Sequence, residues 1–325
     1  MLGCCWLVRR LVRRLVFLLL FMPCFMMIMT APLSVAQAQA DAPKEDKAKQ
    51  DTRPVNDDTP ANTGKGAATK NSVAIPAPLA LEAMHNLDMT HYLSAEQITP
   101  LVAGDNDFIT LVKESTTANS KGVAILLADW QQTAITPKGL NYLRNTMPGQ
   151  GWTTLSIQPP AKPKNYPSIA LTLAAREQEN LETLSAYQLK LSAIMKTVML
   201  TAKNYPGIFV VIVAGSHSAI LTDLYQKNKN TAPHALIILS GYMANKAAND
   251  KFASALAQTP FPVLDLYLMR DHPLALSSAK QRLSAATKAM KAYYRQRQLT
   301  NRASSYYPQK ALLRAIKGWL TTIGW

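Results

Sequence analysis

The run IFVVIVA, residues 208–214, is apolar throughout and β-like, and Gly215, Ser216, His217, Ser218 and Ala219 follow it before a helix-like pattern begins. A strand that turns sharply into a helix can hold a serine hydroxyl on the turn, positioned for acyl chemistry. Such a turn wants small residues two places before and two places after the nucleophile, and Ala214 and Ser218 supply them around Ser216. A rival register starts the turn at Gly215 and puts His217 in the nucleophile's place, which disfavours esterase chemistry. Ser216 can also serve simply as the cap of the helix that follows. Acyl transfer through Ser216 further requires a base, a carboxylate to orient that base, and donors for the oxyanion. The histidines are His85, His91, His217, His234 and His272. His85 and His91 are six apart, not the helical spacing of a metal-binding pair. No glycine-rich phosphate loop is present, and neither a metal nor a cofactor is expected.

The elements that must position these residues alternate along the chain. Strand-like runs fall at 121–128, 151–160, 208–214, 234–240 and 261–269. Helix-like patterns fall between them: a short one ending in Pro148-Gly149, a long one stopped at Pro206-Gly207, one over 217–229, and one over NKAANDKFASALAQ. A further helix is predicted over 277–299, with Leu283, Ala286, Met290 and Tyr293 on its inner face; RASSYY reads as a short edge strand and QKALLRAIKGWLTTI as the last helix. Strands that are apolar throughout, alternating with helices, imply a mostly parallel sheet covered on both faces and doubly wound by right-handed crossovers. Ligands of such sheets bind beyond the carboxyl ends of the strands. The turns at 214–219 and 269–273 both lie there.

KGVAILLADW, LRNTMPGQGWTTLSIQPP, FPVLDLY and IKGWL resemble the domain-of-unknown-function 3530 family, exported bacterial proteins of α/β-hydrolase type, over roughly 85–325. The resemblance implies the α/β-hydrolase fold and a compartment outside the cytoplasm, not a demonstrated reaction. It also implies where a triad would sit. The acid belongs in the turn after FPVLDLYLM, where Asp271 stands; capping the next helix is the competing role for Asp271. The histidine belongs near the C-terminus, yet none follows His272, and the corresponding segment reads NRASSYYPQKALL. His217 and His272 adjoin the serine and acid candidates in sequence, and adjacent residues of a tight turn rarely aim at one point. The oxyanion loop, often His-Gly in hydrolases, is here LADWQQT with Asp129 and Trp130 and no glycine. Asp129, Trp130, Gly215, His217 and His272 are the candidate binding residues around the catalytic candidates Ser216 and Asp271.

Ahead of this domain, Arg9, Arg10, Arg13 and Arg14, the apolar run 15–29 and AQAQA at 36–40 read as a secretory signal, residues 1–40. Residues 41–78 are polar and Pro-containing and read as a disordered linker; the domain spans 79–325. Cys4, Cys5 and Cys24 all fall in the signal, so the exported chain has no thiol chemistry and no disulfide, which suits a bacterial periplasm. After Asp271 there is no Asp or Glu, while Lys280, Arg282, Lys288, Lys291, Arg295, Arg297, Arg302, Lys310, Arg314 and Lys317 are all basic. That asymmetry offers a face to an anionic membrane surface; export disfavours nucleic acid despite the net charge of +15. The expectation is a periplasmic protein with a degenerate triad, binding a ligand or an envelope partner, with a weak serine esterase acting through Ser216 as the alternative.

Overall fold

The computed structural model describes residues 77–104 and 106–325 of the 325-residue chain. The signal segment and all but the last two residues of the linker lie outside the described residues. No helix among the described residues is long and apolar enough to cross a membrane.

Eight strands form one sheet in the order β1-β2-β4-β3-β5-β6-β7-β8. They are β1 Ile98–Ala103, β2 Asn106–Lys113, β3 Gly122–Leu127, β4 Trp152–Ile157, β5 Ile208–Ala214, β6 Ala235–Leu239, β7 Val263–Leu268 and β8 Tyr294–Leu299. β3 to β8 run parallel; β2 is antiparallel to both β1 and β4. The helices are α1 Leu81–Tyr92, α2 Leu140–Thr146, α3 Leu173–Ala202, α4 His217–Lys227, α5 Lys246–Gln258, α6 Pro273–Lys288 and α7 Gln309–Thr322. This is the doubly wound, mostly parallel sheet of the α/β-hydrolase type that the sequence implied.

The central strands β3, β5 and β6 are apolar throughout because both faces of the sheet are covered there. On β3, Val123, Ile125 and Leu127 enter the core shared with α3, α4 and α5, while Ala124 and Leu126 enter the one shared with α2 and α7. On β5, Val211 and Val213 face the first core and Val210 and Ile212 the second. Gly122 and Gly207 let the ends of β3 and β5 meet: a Cβ on either would overlap the other strand's backbone.

Two expectations fail, for identifiable reasons. The helix expected over 277–299 ends at Lys288, and Tyr294–Leu299 is the parallel edge strand β8. Met290 (φ +49°) and Tyr293 (φ +56°) take left-handed conformations that stop a helix. Leu283, Met290 and Tyr293 are consequently exposed, and only Ala286 of that predicted face is buried; α6 turns Ala275, Ser278, Ala279, Arg282 and Ala286 inward instead. Arg282, one of the basic residues expected to offer a face to an anionic membrane surface, is fully buried. RASSYY is loop and bend rather than strand. The structure adds α1 and the β1–β2 hairpin, which turns at Gly104 (φ +63°).

Candidate functional site

β5 ends at Ala214 and α4 begins at His217, so two residues make the turn. The left-handed apex is Gly215, with φ +58°. Ser216, expected at the apex, instead has helical angles (φ −66°, ψ −27°), is 2 % exposed, and makes no side-chain cap to the helix. The apex therefore carries no side chain. A Cβ on Gly215 would fall within the Asp129 carboxylate, overlapping its Cγ and both oxygens. Asp129 reaches this place from the loop after β3, and its Oδ1 accepts two backbone hydrogen bonds, from Trp130 N–H (3.0 Å) and Ser216 N–H (3.1 Å). Those are the donors an oxyanion hole would be made of: the amide after the apex and an amide of the loop after β3. Here both donate to a carboxylate oxygen of the same molecule.

Asp129 is nearly buried, and desolvation raises its pKa to about 6 against the lowering pull of those two amides and of Lys138 and Lys162. Behind it, His217 is wholly buried. Its Nδ1 lies 2.6 Å from the Ala128 carbonyl oxygen and its Nε2 2.6 Å from the Tyr187 hydroxyl. Burial lowers its pKa to about 4, so the ring is neutral at pH 7, with Nδ1–H donating to Ala128. Tyr187 stacks on it and Trp130 meets it edge-on. Trp130 also packs edge-on against Tyr166 and Tyr187. These rings form the wall behind Asp129 and do not line the crevice.

The crevice itself, about 260 Å³, opens at the carboxyl ends of β3, β5, β6 and β7. Asp129 and Gly215 lie on one side of it, Asp271 and His272 on the other, with Ser240, Tyr242, Ser305, Tyr307, Gln132 and Lys138 among the remaining lining. Asp271 sits in the turn after β7 as expected. Its Oδ2 accepts from the Leu268 amide (3.0 Å) and from the Ser240 hydroxyl, and its Oδ1 from the His272 amide (2.8 Å). Ser240 Oγ also lies 2.6 Å from Tyr307 Oη. His272 caps α6, its Nδ1 accepting from the Leu274 amide (3.2 Å), and stacks on Tyr242 at 4.6 Å between centroids. No imidazole hydrogen-bonds Asp271. The loop that would bring a histidine to it brings Tyr307, whose pKa is pushed well above its ordinary value by burial and by the Asp271 charge.

A family model described as a protein of unknown function, DUF3530, matches residues 18–322. The chain belongs to the DUF3530 family. No curated protein matches it. Its structure is similar to a dienelactone hydrolase from Anabaena variabilis (13 % identity, 70 % of this chain and 98 % of that one, TM-score 0.49). It is also similar to a putative α/β hydrolase from Agrobacterium tumefaciens, ATU1826 (12 %, 69 % and 94 %, 0.48), and to an α/β serine hydrolase homologue from Coxiella burnetii (12 %, 71 % and 97 %, 0.44).

Of the residues singled out in this DUF3530 sequence, the structure brings Asp129, Gly215, Asp271 and His272 to one crevice and leaves Trp130, Ser216 and His217 behind its wall. Sequence reasoning missed Ser240, Tyr242, Tyr187 and Lys138. A signal for the first two existed: Ser240-Gly241-Tyr242 directly follows an apolar parallel strand, at the end where ligands bind. Ser240 carries a second mark, a left-handed backbone (φ +52°) at a residue other than glycine.

Proposed function

We propose that this chain is a non-catalytic ligand- or partner-binding protein of the bacterial cell envelope, built on an α/β-hydrolase scaffold and exported to the periplasm. One observation carries the non-catalytic half: the Asp129 carboxylate on the amides of Trp130 and Ser216, in the space over Gly215. A serine hydrolase stabilises a developing oxyanion with such amides, and losing one donor costs on the order of 10²–10³ in rate. A resident carboxylate engages both and repels the incoming negative charge. Ser216 lacks the apex geometry, and a missing base removes roughly another 10²–10⁴. What remains is a polar crevice in the place where the fold binds small molecules. Export is supported by the arginine-led apolar N-terminal run and the absence of cysteine after Cys24; fractionation of cells expressing the full chain tests it.

The test of catalysis is hydrolysis of p-nitrophenyl acetate by the wild type and by Ser216→Ala. The expected result is no turnover above buffer in either. Turnover that disappears in Ser216→Ala would establish the alternative, a weak or unconventional serine esterase, and overturn this proposal.

A further inference from the structure

The filled oxyanion hole leaves one atom unanswered. Both amides bond Asp129 Oδ1; among the described residues no hydrogen bond reaches Oδ2. That oxygen lies over the bare Cα of Gly215, on the crevice side, in a residue that is 9 % exposed. Among the described residues, no lysine, arginine or histidine stands within 4 Å of the Asp129 carboxylate. A carboxylate this dry is costly to ionise without a counter-charge.

The surroundings narrow what could supply that charge. The charge of Lys162 reaches Asp129 from outside the crevice lining. Asp271 is a second carboxylate on the crevice wall, where Lys138 places one ammonium. This is a local excess of acid in a chain of net charge +15. An anionic ligand would meet two carboxylates and find the amide donors already taken. A metal ion fits poorly: no group of three His, Cys, Asp or Glu side chains positioned to hold one occurs among the described residues. An organic cation fits well. Tyr242 and Tyr307 line the same space, and tyrosine faces attract ammonium groups. Tyr242 is held in place by its stacking on His272. Gln132, Ser240 and Ser305 supply hydrogen-bonding groups for a polar remainder, and about 260 Å³ admits a small molecule but not a folded chain segment.

We propose that the crevice binds a small polar molecule carrying a protonated amine, with its ammonium group donating a charge-assisted hydrogen bond to Asp129 Oδ2. This rests on the non-catalytic reading, because it needs Asp129 to remain in the oxyanion hole as the floor of a binding site.

The experiment uses the full chain in a non-ionic detergent at pH 7 and three probes that share a sugar ring: glucosamine, glucose and glucuronate. Binding is followed by calorimetry and by the shift of the thermal midpoint. Glucosamine is expected to bind at least tenfold more tightly than glucose, with glucuronate weakest. Asp129→Asn should cost glucosamine at least tenfold and erase its advantage over glucose, while Asp271→Asn costs less. Thermal unfolding of each variant confirms that it is folded. Equal or tighter binding of glucose or glucuronate, an unchanged glucosamine affinity in Asp129→Asn, or no binding of any probe would overturn the proposal. Failure of the underlying non-catalytic reading shows separately, as Ser216-dependent ester hydrolysis.

Discussion

Among the described residues two carboxylates are buried, and they are treated differently. Asp265 lies in the middle of β7 beneath α6, fully buried. It receives Nε and a terminal nitrogen of Arg282 (2.7 and 2.9 Å), the Tyr294 hydroxyl (2.8 Å) and the Gln296 amide (2.8 Å). Arg282 is answered in turn: its other terminal nitrogen donates to the Gly241 carbonyl and to Ser278 Oγ, and the Phe252 ring lies 5.2 Å from the guanidinium carbon. Asp129, at the ends of the strands, has two amides on one oxygen and, among the described residues, no hydrogen bond on the other. Charge buried for architecture is neutralised and fully hydrogen-bonded; charge buried at the crevice is left one partner short. On the proposed reading, that shortfall is where a ligand's ammonium group would bond.

The largest effect expected from breaking this contrast is at Arg282. Arg282→Met leaves Asp265 charged, buried and short of its strongest partners, and removing one member of a buried pair costs about 3–5 kcal/mol. Urea unfolding at pH 7 measures it. The double variant Arg282→Met/Asp265→Leu should recover most of the loss, since an apolar pair of suitable volume needs no neutralising. A single variant within about 1 kcal/mol of wild type would mean that the pair is not what the core is built around.

Asp129 sharpens the contrast through pH. Its folded pKa of about 6 is raised from an ordinary 3.8, so the stability attached to its protonated form is complete below 3.8 and is lost as pH rises through about 6. His217 runs the other way: lowered from 6.5 to about 4, it contributes stability that is complete above 6.5 and is lost as pH falls toward 4. Each shift corresponds to roughly 3 kcal/mol, at 1.36 kcal/mol per pKa unit. The two slopes oppose one another between about pH 4 and 6, and wild-type stability should be nearly flat there. Asp129→Asn keeps an oxygen for the two amides and removes the titration. The variant should be more stable than wild type above pH 6, by up to about 3 kcal/mol, and should lose stability steadily on acidification from pH 6.5 to 4. Thermal or urea unfolding across pH 4–8 reads both; a variant less stable than wild type at pH 8 would remove the case that Asp129 is buried at a cost.

The fold was legible where burial is two-sided. IFVVIVA, ALIIL and GVAILL are apolar on both faces, and only a strand covered by two helix layers needs that. β8 was not legible because YRQRQL is an edge strand whose inward residues, Tyr294 and Gln296, are polar and answer Asp265. Its alternation resembles a basic helix until its partner in β7 is known. The β1–β2 hairpin is likewise at an edge and half-exposed, but its sequence did carry a turn signal, the pair Gly104-Asp105 between the two strands. At the site, Asp271 could be found because its position follows from the end of β7. The register of the elbow could not, because it rests on a backbone angle: only φ at Gly215 tells the apex from its neighbour Ser216. That Asp129 would supply the missing side chain follows from the loop's path, which composition does not reveal.

The smallest expected effect lies at Ser240, beside the third carboxylate of the set. Asp271 stands between the other two: two backbone amides and one hydroxyl answer it, and it still lines the crevice. The hydroxyl comes from a residue in the left-handed region, φ +52°, which an L side chain adopts at a cost of about 1–2 kcal/mol. Ser240→Ala keeps that cost and loses the bonds to Asp271 and Tyr307, a loss of about 1–2 kcal/mol. Ser240→Gly loses the same bonds but relieves the backbone, partly offset by the greater freedom of glycine in the unfolded chain. Glycine at 240 should therefore be better tolerated than alanine, by about 1 kcal/mol in urea unfolding. The usual order, with glycine worse than alanine, would show that the left-handed turn after β6 is not fixed by the fold. Ser240 would then be strained for the sake of its own hydrogen bonds, and the Asp271 side of the crevice would be held by that hydroxyl rather than by the backbone around it.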